Sequence, residues 1–382
     1  MAHFAGTLAL ALLFLAPQDK SAYDAWSRGP SKDPGFFPIA VWLQDPRHAA
    51  AYRAAGINTY VALWRGPDAA QLDALKAAGM KLVCHQNSFA LTRKDDETII
   101  AWMHGDEPDN AQSLRGGGYG PPVSTEKIVE DYRRIKAADP SRPVLLNLGQ
   151  GVAWDQYVGR GVRTNHPEDY AEYLKGCDIG SFDIYPVVHD KPAVAGRLEF
   201  VPQGVERLRT WSHDEKLVWN CIEASRIDNP GAKASASQIR SEVWMSLIHG
   251  SRGLIYFVHQ FKPSFVEASL LADEELLRGV TSINRQIQEL APALNSPASK
   301  DLLVVGSSVP DAPVAAIARR QGGATYVFAV AMRNRAMKGS FAVKDHKGTS
   351  AEVLGESRTL GVTDGKFEDD FKPYEVHLYR LK

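Results

Sequence analysis

Eight short apolar runs recur along residues 36–293, and most are followed by a stretch rich in alanine and other helix-forming residues. Because the runs are apolar almost throughout, they are typical of strands covered on both faces in a parallel sheet. A strand followed by a helix, eight times over, predicts an α/β protein with a (β/α)8 TIM barrel at residues 30–294. A doubly wound sheet is the alternative, because periodicity alone does not show that a sheet closes. The predicted strands are residues 37–43, 59–64, 81–85, 99–104, 143–148, 179–185, 217–222 and 254–258.

The helical stretches between these runs end at ordinary stop signals. Gly56, Gly79, Pro140, Gly176 and Gly250 each follow a helical pattern, as expected of residues that close a helix. The predicted helices include residues 46–55, 69–78, 125–138, 167–175, 236–249 and 273–290.

The chain changes character after Pro292 and Pro297. Short apolar runs at residues 302–305, 325–331 and 376–379 alternate with Gly, Asn and Asp turn signals, and no helical period is present. We predict a small all-β sandwich over residues 297–382, which would either buttress the barrel or contact sugar.

The N-terminus carries an apolar run at residues 4–16 that is too short to span a bilayer but suits the core of a secretory signal. We predict a signal peptide at residues 1–22 and hence a periplasmic or secreted protein. A buried N-terminal helix is the alternative, since no Lys or Arg precedes the run and Pro17 follows Ala16. No other segment approaches the 18 apolar residues of a membrane span, so we expect no membrane attachment after signal removal.

The charge balance excludes several classes of partner. The chain has 44 Lys and Arg against 45 Asp and Glu, a net charge of -1, which gives no field to attract nucleic acid and disfavours polyanionic substrates. Cys84, Cys177 and Cys221 are scattered, without CxxC spacing, and are expected to be buried thiols, with an extracellular disulfide pair as the alternative. Since no HxH or HExxH spacing is present, we predict neither a metal site nor a cofactor.

A barrel places its reactive groups at the C-terminal ends of its strands, so the polar and aromatic residues there are candidates for a site. Strand four is followed by Asp106 and Glu107, and strand seven by Glu223. Two glutamates across the mouth of a barrel can flank a glycosidic bond: one attacks the anomeric carbon, and the other protonates the leaving oxygen and then activates water, which gives retention. Asn, Gln, His and Trp would supply hydrogen bonds to sugar hydroxyls and flat faces for stacking. The candidate substrate-binding residues are Trp42, Trp64, His85, Gln86, Asp106, Asn147, Asp183, Tyr185, His259 and Gln260.

Glutamates closing strands four and seven of a (β/α)8 barrel that precedes a β-sandwich resemble clan A of the glycoside hydrolases, a set of retaining glycosidases. The resemblance implies that Glu107 is the acid/base and Glu223 the nucleophile, with Tyr185 where many members have a tyrosine that hydrogen-bonds the nucleophile. Asp106 stands where the clan usually has Asn, and His259 with Gln260 where many members have Trp, so the sugar pocket is unusual.

The same resemblance implies β-linked neutral oligosaccharides of galacto or gluco type, or fragments of a polysaccharide, as substrates. The long segment at residues 109–123 could wall off one end of the cleft, which favours exo action. Two alternatives stay open. One is a substrate-assisted hexosaminidase, in which Asp106 orients an acetamido group and Glu107 is the acid. The other is a barrel that binds carbohydrate without hydrolysing it.

Overall fold

The computed structural model describes residues 21–298 and 301–382. Residues 1–20, which make up most of the predicted signal peptide at residues 1–22, lie outside the described residues. Within the described ranges, no helix is both long enough and apolar enough to cross a membrane.

Eight parallel strands close into a barrel in chain order. The first strand pairs in parallel with the second and also with the eighth, so the sheet has no free edge. This confirms the predicted (β/α)8 fold and excludes the open doubly wound sheet. All eight predicted runs form strands, with their ends shifted by at most a few residues. The strands are β1 Ile39–Trp42, β2 Thr59–Val61, β3 Lys81–Cys84, β4 Ile99–Asp106, β5 Val144–Leu148, β6 Ile179–Phe182, β7 Leu217–Glu223 and β8 Gly253–Phe257.

Helices follow the strands and cover the outside of the barrel. Asp68 and Ser235, each at a helix start, form capping boxes that satisfy backbone N–H groups of the first turn. The last helix does not end near residue 290 as predicted but continues through Pro292 to Leu294, since its neighbouring residues are buried in the apolar core. The helices are α1 Ala49–Ala54, α2 Ala69–Ala77, α3 Ser88–Leu91, α4 Thr125–Ala138, α5 Asp169–Tyr173, α6 Phe200–Trp211, α7 Ala236–Ile248 and α8 Glu274–Leu294, with short 3-10 turns at Pro46–His48, Gln150–Val152, Val158–Arg163 and Leu174–Gly176.

Apolar side chains fill the barrel interior and the layer between strands and helices. The N-terminal end of the barrel is closed by Tyr23, whose hydroxyl accepts a hydrogen bond from Trp219 Nε1 over 3.0 Å and donates one to the carbonyl of Arg252 over 2.8 Å. Access to the barrel interior is therefore from the C-terminal ends of the strands.

Two antiparallel sheets follow the barrel and confirm the predicted all-β region. One sheet has the strand order β10-β11-β16-β13-β14 and the other β15-β12-β9. The five-stranded sheet packs on α7, where Trp244 lies against Phe328 with ring centroids 5.1 Å apart and Arg240 Nη1 donates to the carbonyl of Val376 over 2.8 Å. The strands are β9 Leu303–Ser307, β10 Val314–Gln321, β11 Ala324–Ala331, β12 Met337–Val343, β13 Ser350–Val353, β14 Arg358–Gly361, β15 Lys366–Phe371 and β16 Val376–Leu381.

Candidate active site

A cleft of about 1100 Å³ opens at the C-terminal ends of the barrel strands. Segments that follow every strand except β3 border it, and its described lining residues all precede the β-sandwich. The structure places seven of the sequence-predicted residues on its surface: Trp42, Trp64, Asp106, Glu107, Asp183, Tyr185 and His259.

A single amide joins carboxylates from β4 and from the end of β6. Asn147 on β5 is fully buried, and its Nδ2 donates to Asp106 Oδ1 over 3.0 Å and to Asp183 Oδ1 over 3.3 Å. The hydroxyl of Ser181 donates to Asn147 Oδ1, which fixes the orientation of the amide. These contacts keep the two carboxylate oxygens within about 6 Å of each other, close enough for both groups to act on one bond.

Glu107 enters the cleft from a left-handed backbone turn. Its φ is +40°, which a residue with a side chain adopts only where surrounding contacts hold it there. Its N–H donates to the carbonyl of Asn147 over 3.0 Å, and its Oε2 accepts from Asn110 Nδ2 over 2.8 Å. The turn at the end of β4 thus fixes Glu107 at both its backbone and its carboxylate.

Asp106 and Glu107 resist ionisation. Solvent reaches Asp106 from the cleft, but protein atoms crowd its other sides, and this burial, together with the charge of Asp183, raises the pKa of Asp106 to about 7. Burial raises the pKa of Glu107 well above its usual range, and the charges of Asp183, Asp106 and Asp109 add to the increase. Neutral pH therefore leaves at least one of these groups protonated.

Asp183 differs from the other two in the donors around it. Burial raises the pKa of Asp183, but the thiol of Cys221, the amide of Asn147 and the hydroxyl of Tyr185 all favour its ionised form. The buried Tyr185 hydroxyl makes no hydrogen bond of ordinary geometry with any described residue. Asp183 is therefore the carboxylate best surrounded by groups that stabilise a negative charge.

Glu223 does not line the cleft, so this geometry does not support its predicted role as nucleophile. The residue is fully buried, its Oε1 accepts from the N–H of Val187 over 2.6 Å, and its Oε2 accepts from the N–H of Val188 over 2.9 Å. Both amides belong to the segment that follows β6. A carboxylate whose two oxygens are held by backbone amides away from the cleft cannot reach an anomeric carbon bound there.

Glu242 of α7 is the other partner of Glu223. Both oxygens of Glu242 are buried, and none of the described residues donates an N–H to them. Because an ionised carboxylate would need such donors, we infer that Glu242 holds a proton and donates it to Glu223. Burial accordingly raises the pKa of Glu242 well above its usual range and that of Glu223 to about 7. The pair ties α7 to the segment after β6.

Asn147, predicted to bind substrate, does not line the cleft, and three other predicted substrate contacts also lie outside it. Gln86 Nε2 donates to the carbonyl of Ile135 in α4 over 3.0 Å, so its side chain packs outside the barrel. Gln260 Nε2 donates to the carbonyl of Ser264 over 3.2 Å, within its own loop. His85 is exposed but borders no part of the cleft, because no segment after β3 reaches it.

The segment at residues 109–123 does not wall the cleft as expected. Asp109 is fully buried and accepts hydrogen bonds from the N–H of Gly149 and the hydroxyl of Tyr170, each over 2.8 Å. Ser113 then pairs with Tyr119, so the segment folds on itself. Because Asp109 anchors it towards α5, none of residues 109–123 lines the cleft.

The β8 side of the cleft is lined by rings that the sequence prediction largely missed. Centroids of neighbouring rings lie 5.1 Å apart for Tyr185 and Phe257, 5.2 Å for Phe257 and His259, 5.9 Å for His259 and Phe265, and 5.8 Å for Phe265 and Phe261. We call these five residues the aromatic row. The spacing of the three phenylalanines, four residues apart from the end of strand eight onwards, was the available sequence signal.

Cys84, Cys177 and Cys221 are buried free thiols, as predicted. Among residues 21–298 and 301–382, no three His, Cys, Asp or Glu side chains are arranged to hold a metal ion.

No protein-family profile matches the sequence, and neither does any curated protein. Solved structures do match. An α-amylase from Anoxybacillus is 12% identical, with 92% of this chain and 99% of that chain covered and a TM-score of 0.54. The chain has the fold of a glycoside hydrolase. An α-amylase from Geobacillus thermoleovorans, solved with acarbose, is 11% identical over 91% of this chain and 98% of that one, with a TM-score of 0.51. A Bacteroides fragilis protein provisionally assigned as an α-galactosidase is 11% identical, with 91% of this chain and 79% of that chain covered and a TM-score of 0.53.

These identities describe a likeness of fold. Folds of this kind host many activities, so the residues of the cleft must carry any functional assignment.

Proposed function

We propose that the cleft hydrolyses O-glycosidic bonds of neutral sugars. The observation that carries the proposal is the convergence of Asp106, Glu107 and Asp183 at the C-terminal mouth of the barrel, in a cleft large enough for sugar rings. Barrel enzymes hold their catalytic groups at this mouth, and carboxyl groups with different pKa values are the machinery of glycoside hydrolysis. The shared fold with glycoside hydrolases adds to this support.

The surroundings of the three carboxylates suggest their roles. After burial, the charge of Asp183 is the largest cause that raises the pKa of both Glu107 and Asp106. Asp183 has the donors that stabilise an anion, so we assign it as the nucleophile and Glu107 as the acid/base. Asp106 accepts from the same Asn147 amide as Asp183 and holds that amide in position.

The reaction then proceeds with retention in two displacements. An oxygen of Asp183 bonds to the anomeric carbon while the bond from that carbon to the leaving oxygen breaks and the proton of Glu107 passes to the leaving oxygen. In the second step Glu107, now ionised, takes a proton from water, whose oxygen replaces Asp183 on the anomeric carbon. Retention requires the carboxyl groups of Asp183 and Glu107 to lie about 5 to 5.5 Å apart, and the increase that the Asp183 charge causes in the pKa of Glu107 is expected of neighbouring carboxyl groups.

The charge of the cleft favours neutral sugars. Asp45, Asp228 and Glu267 line it in addition to the three carboxylates above. Among the described lining residues, Arg47 is the only Lys or Arg, and it is paired with Asp45 at 3.0 Å and lies 3.8 Å from Glu267. A uronate or sulfate ester would meet an excess of negative charge.

The linkage is proposed from the resemblance. Clan A favours β-linked substrates, whereas the similar structures above include α-amylases, so an activity assay needs both anomers.

The exo action predicted from residues 109–123 loses that support, because the segment lies away from the cleft. Release of monosaccharide alone from a linear tetrasaccharide would restore the exo assignment, and mixed shorter oligomers would exclude it.

Azide rescue tests the two catalytic assignments on a panel of α- and β-nitrophenyl glycosides. We expect Asp183→Ala and Glu107→Ala to lower turnover by about 10²- to 10⁴-fold. With azide, Asp183→Ala should form a glycosyl azide of inverted configuration, and Glu107→Ala one of retained configuration. Glu172→Gln is the matched control, because Glu172 is an exposed carboxylate on α5 paired with Lys175. Full activity in Asp183→Ala, or azide products from neither variant, would overturn the assignments.

The substrate-assisted hexosaminidase is a second candidate, favoured by the position of Glu223. The substrate-assisted mechanism uses only Asp106 and Glu107. It therefore needs no carboxylate from β7, which agrees with the position of Glu223 outside the cleft. This candidate predicts that a nitrophenyl N-acetylglucosaminide is cleaved far faster than the glucoside and that Asp183→Ala retains this activity. No turnover of any glycoside, with sugar binding retained, would indicate the non-catalytic barrel.

A further inference from the structure

The aromatic row extends from the carboxylates to the rim of the cleft. Tyr185 lies next to Asp183, and its pKa is raised first by burial and then by the charge of Asp183. At the other end, 46% of Phe261 and 62% of Phe265 are exposed. Large exposed aromatic groups carry a free-energy cost in water, and a contiguous set of them in a cleft marks a binding surface.

The exposed rings are held in place by backbone contacts. Gln260 and Val266 exchange two N–H to carbonyl hydrogen bonds of 2.9 Å, which closes the loop that carries both phenylalanines. The N–H of Phe261 donates to the carbonyl of Arg226, also over 2.9 Å. The two rings therefore present a pre-formed surface, and a ligand that contacts them need not order the loop.

The two sides of the cleft differ in chemistry. The β4 and β6 side presents Asp106, Glu107 and Asp183, which can accept from or donate to sugar hydroxyls. The phenylalanines of the aromatic row have no hydrogen-bonding atoms, and Ile227 beside them adds more apolar surface. A second sugar ring on that side could stack on the rings but would gain no hydrogen bond from the phenylalanines, whereas a hydrocarbon group would bury apolar surface without any polar group to satisfy.

We propose that the aromatic row binds the apolar aglycone, an aryl or long alkyl group, of a glycoside whose sugar lies against the three carboxylates. This inference rests on the proposed function and narrows its substrate class from oligosaccharides to glycosides with an apolar leaving group. Tyr185 belongs to the aromatic row and lies beside Asp183, so a sugar at the carboxylates places its leaving group towards the phenylalanines.

Substrates that share one sugar but differ in the leaving group test the inference. Wild type, Phe261→Ala and Phe265→Ala are compared on the glycosyl fluoride, the octyl and naphthyl glycosides and a disaccharide of the preferred sugar. We expect kcat/KM for the octyl and naphthyl glycosides to fall by about tenfold in each variant, and kcat/KM for the fluoride to stay unchanged. Tyr119→Ala is the matched control, since Tyr119 is 75% exposed and lies outside the cleft.

The outcomes separate this inference from the proposed function. If the wild type does not hydrolyse the fluoride of any sugar in either anomer, the proposed function fails. If the fluoride is hydrolysed but the variants act on the naphthyl glycoside like the wild type, the aglycone site is wrong. A loss confined to the disaccharide would also overturn it, because the aromatic row would then bind a second sugar. Melting temperatures of the variants, expected within about 2 °C of wild type, exclude a general loss of structure.

Discussion

The side-chain amide of Asn147 donates a 3.0 Å hydrogen bond to Asp106 from a fully buried position beneath the cleft. The same nitrogen donates to Asp183, so one neutral residue fixes both carboxylates and favours their ionised forms. The alignment of the predicted catalytic groups therefore depends on a side chain that does not itself line the cleft.

Replacing Asn147 by Ala should raise the pKa of both carboxylates, since each loses a donor to its ionised form. We expect the acidic limb of the pH profile of kcat/KM to move to higher pH by about one unit and activity on that limb to fall by at most about tenfold. Asn220→Ala is the control, because Asn220 is a buried β7 residue that donates to Ser246 over 2.8 Å. It should lower the melting temperature without moving the limb; an unmoved limb in Asn147→Ala would contradict the proposed bridge.

Replacing Asp106 by Asn should move the alkaline limb. The charge of Asp106 contributes to the raised pKa of Glu107, so its removal favours ionisation of Glu107 and lowers that pKa. Activity that needs protonated Glu107 is then lost at lower pH, by about one unit. Asp228→Asn removes a carboxylate from elsewhere in the cleft and should leave the limb in place. Equal shifts in the two variants would show that only the total charge matters.

The pair formed by Glu223 and Glu242 should make stability depend on pH. Unfolded, both titrate near 4.5, whereas in the folded chain the pKa of Glu223 is about 7 and that of Glu242 is also raised well above 4.5. The folded state thus holds more protons between these values, and the free energy of unfolding falls as pH rises from about 4.5 to about 7.

Glu242→Gln removes one titration and keeps an N–H donor to Glu223. We expect its free energy of unfolding, measured with denaturant at pH 5 to 8, to fall less with pH than that of wild type. Glu242→Ala should be less stable at every pH, because it leaves a cavity and an unpaired Glu223. Parallel pH dependences for wild type and Glu242→Gln would show that the pair shares no proton.

The strands were predictable because a fully covered parallel strand needs an unbroken apolar run, and few other structures do. The direction in which each side chain at a strand end points could not be predicted. Alternation along β7 puts Trp219 and Cys221 in the barrel interior and so suggests the same for Glu223, yet backbone amides after β6 hold its carboxylate outside the cleft. The orientation of the Glu223 side chain therefore depends on a loop that is distant in sequence, and no local sequence pattern reveals it.

Helix α6 contains two residues that usually interrupt helices, Pro202 and Gly204. Pro202 lies in the first turn, where a missing N–H costs little. Gly204 is needed for packing, since a Cβ there would lie 2.2 Å from a ring carbon of Phe182.

Gly204→Ala should therefore destabilise the protein although alanine favours helices. The clash with Phe182 should outweigh the gain in helix propensity of about 1 kcal/mol and lower the free energy of unfolding by about 1–3 kcal/mol. Gly116→Ala, where an added Cβ meets no atom within 4 Å, should change it by less than about 0.5 kcal/mol. Denaturant titration of both variants decides; a stabilised Gly204→Ala would mean that the backbone of α6 moves freely away from β6.

Trp244 packs the barrel against the sandwich across the domain boundary near residue 297. It lies on α7, a helix buried on nearly all sides, where one face contacts the barrel strands and Phe328 of the sandwich covers the other. Without the sandwich, the face of α7 that Phe328 covers would be exposed to water, and no part of the barrel covers that face. Barrel and sandwich should thus melt together in one cooperative transition, and neither half should persist as a folded fragment after proteolytic cleavage between them.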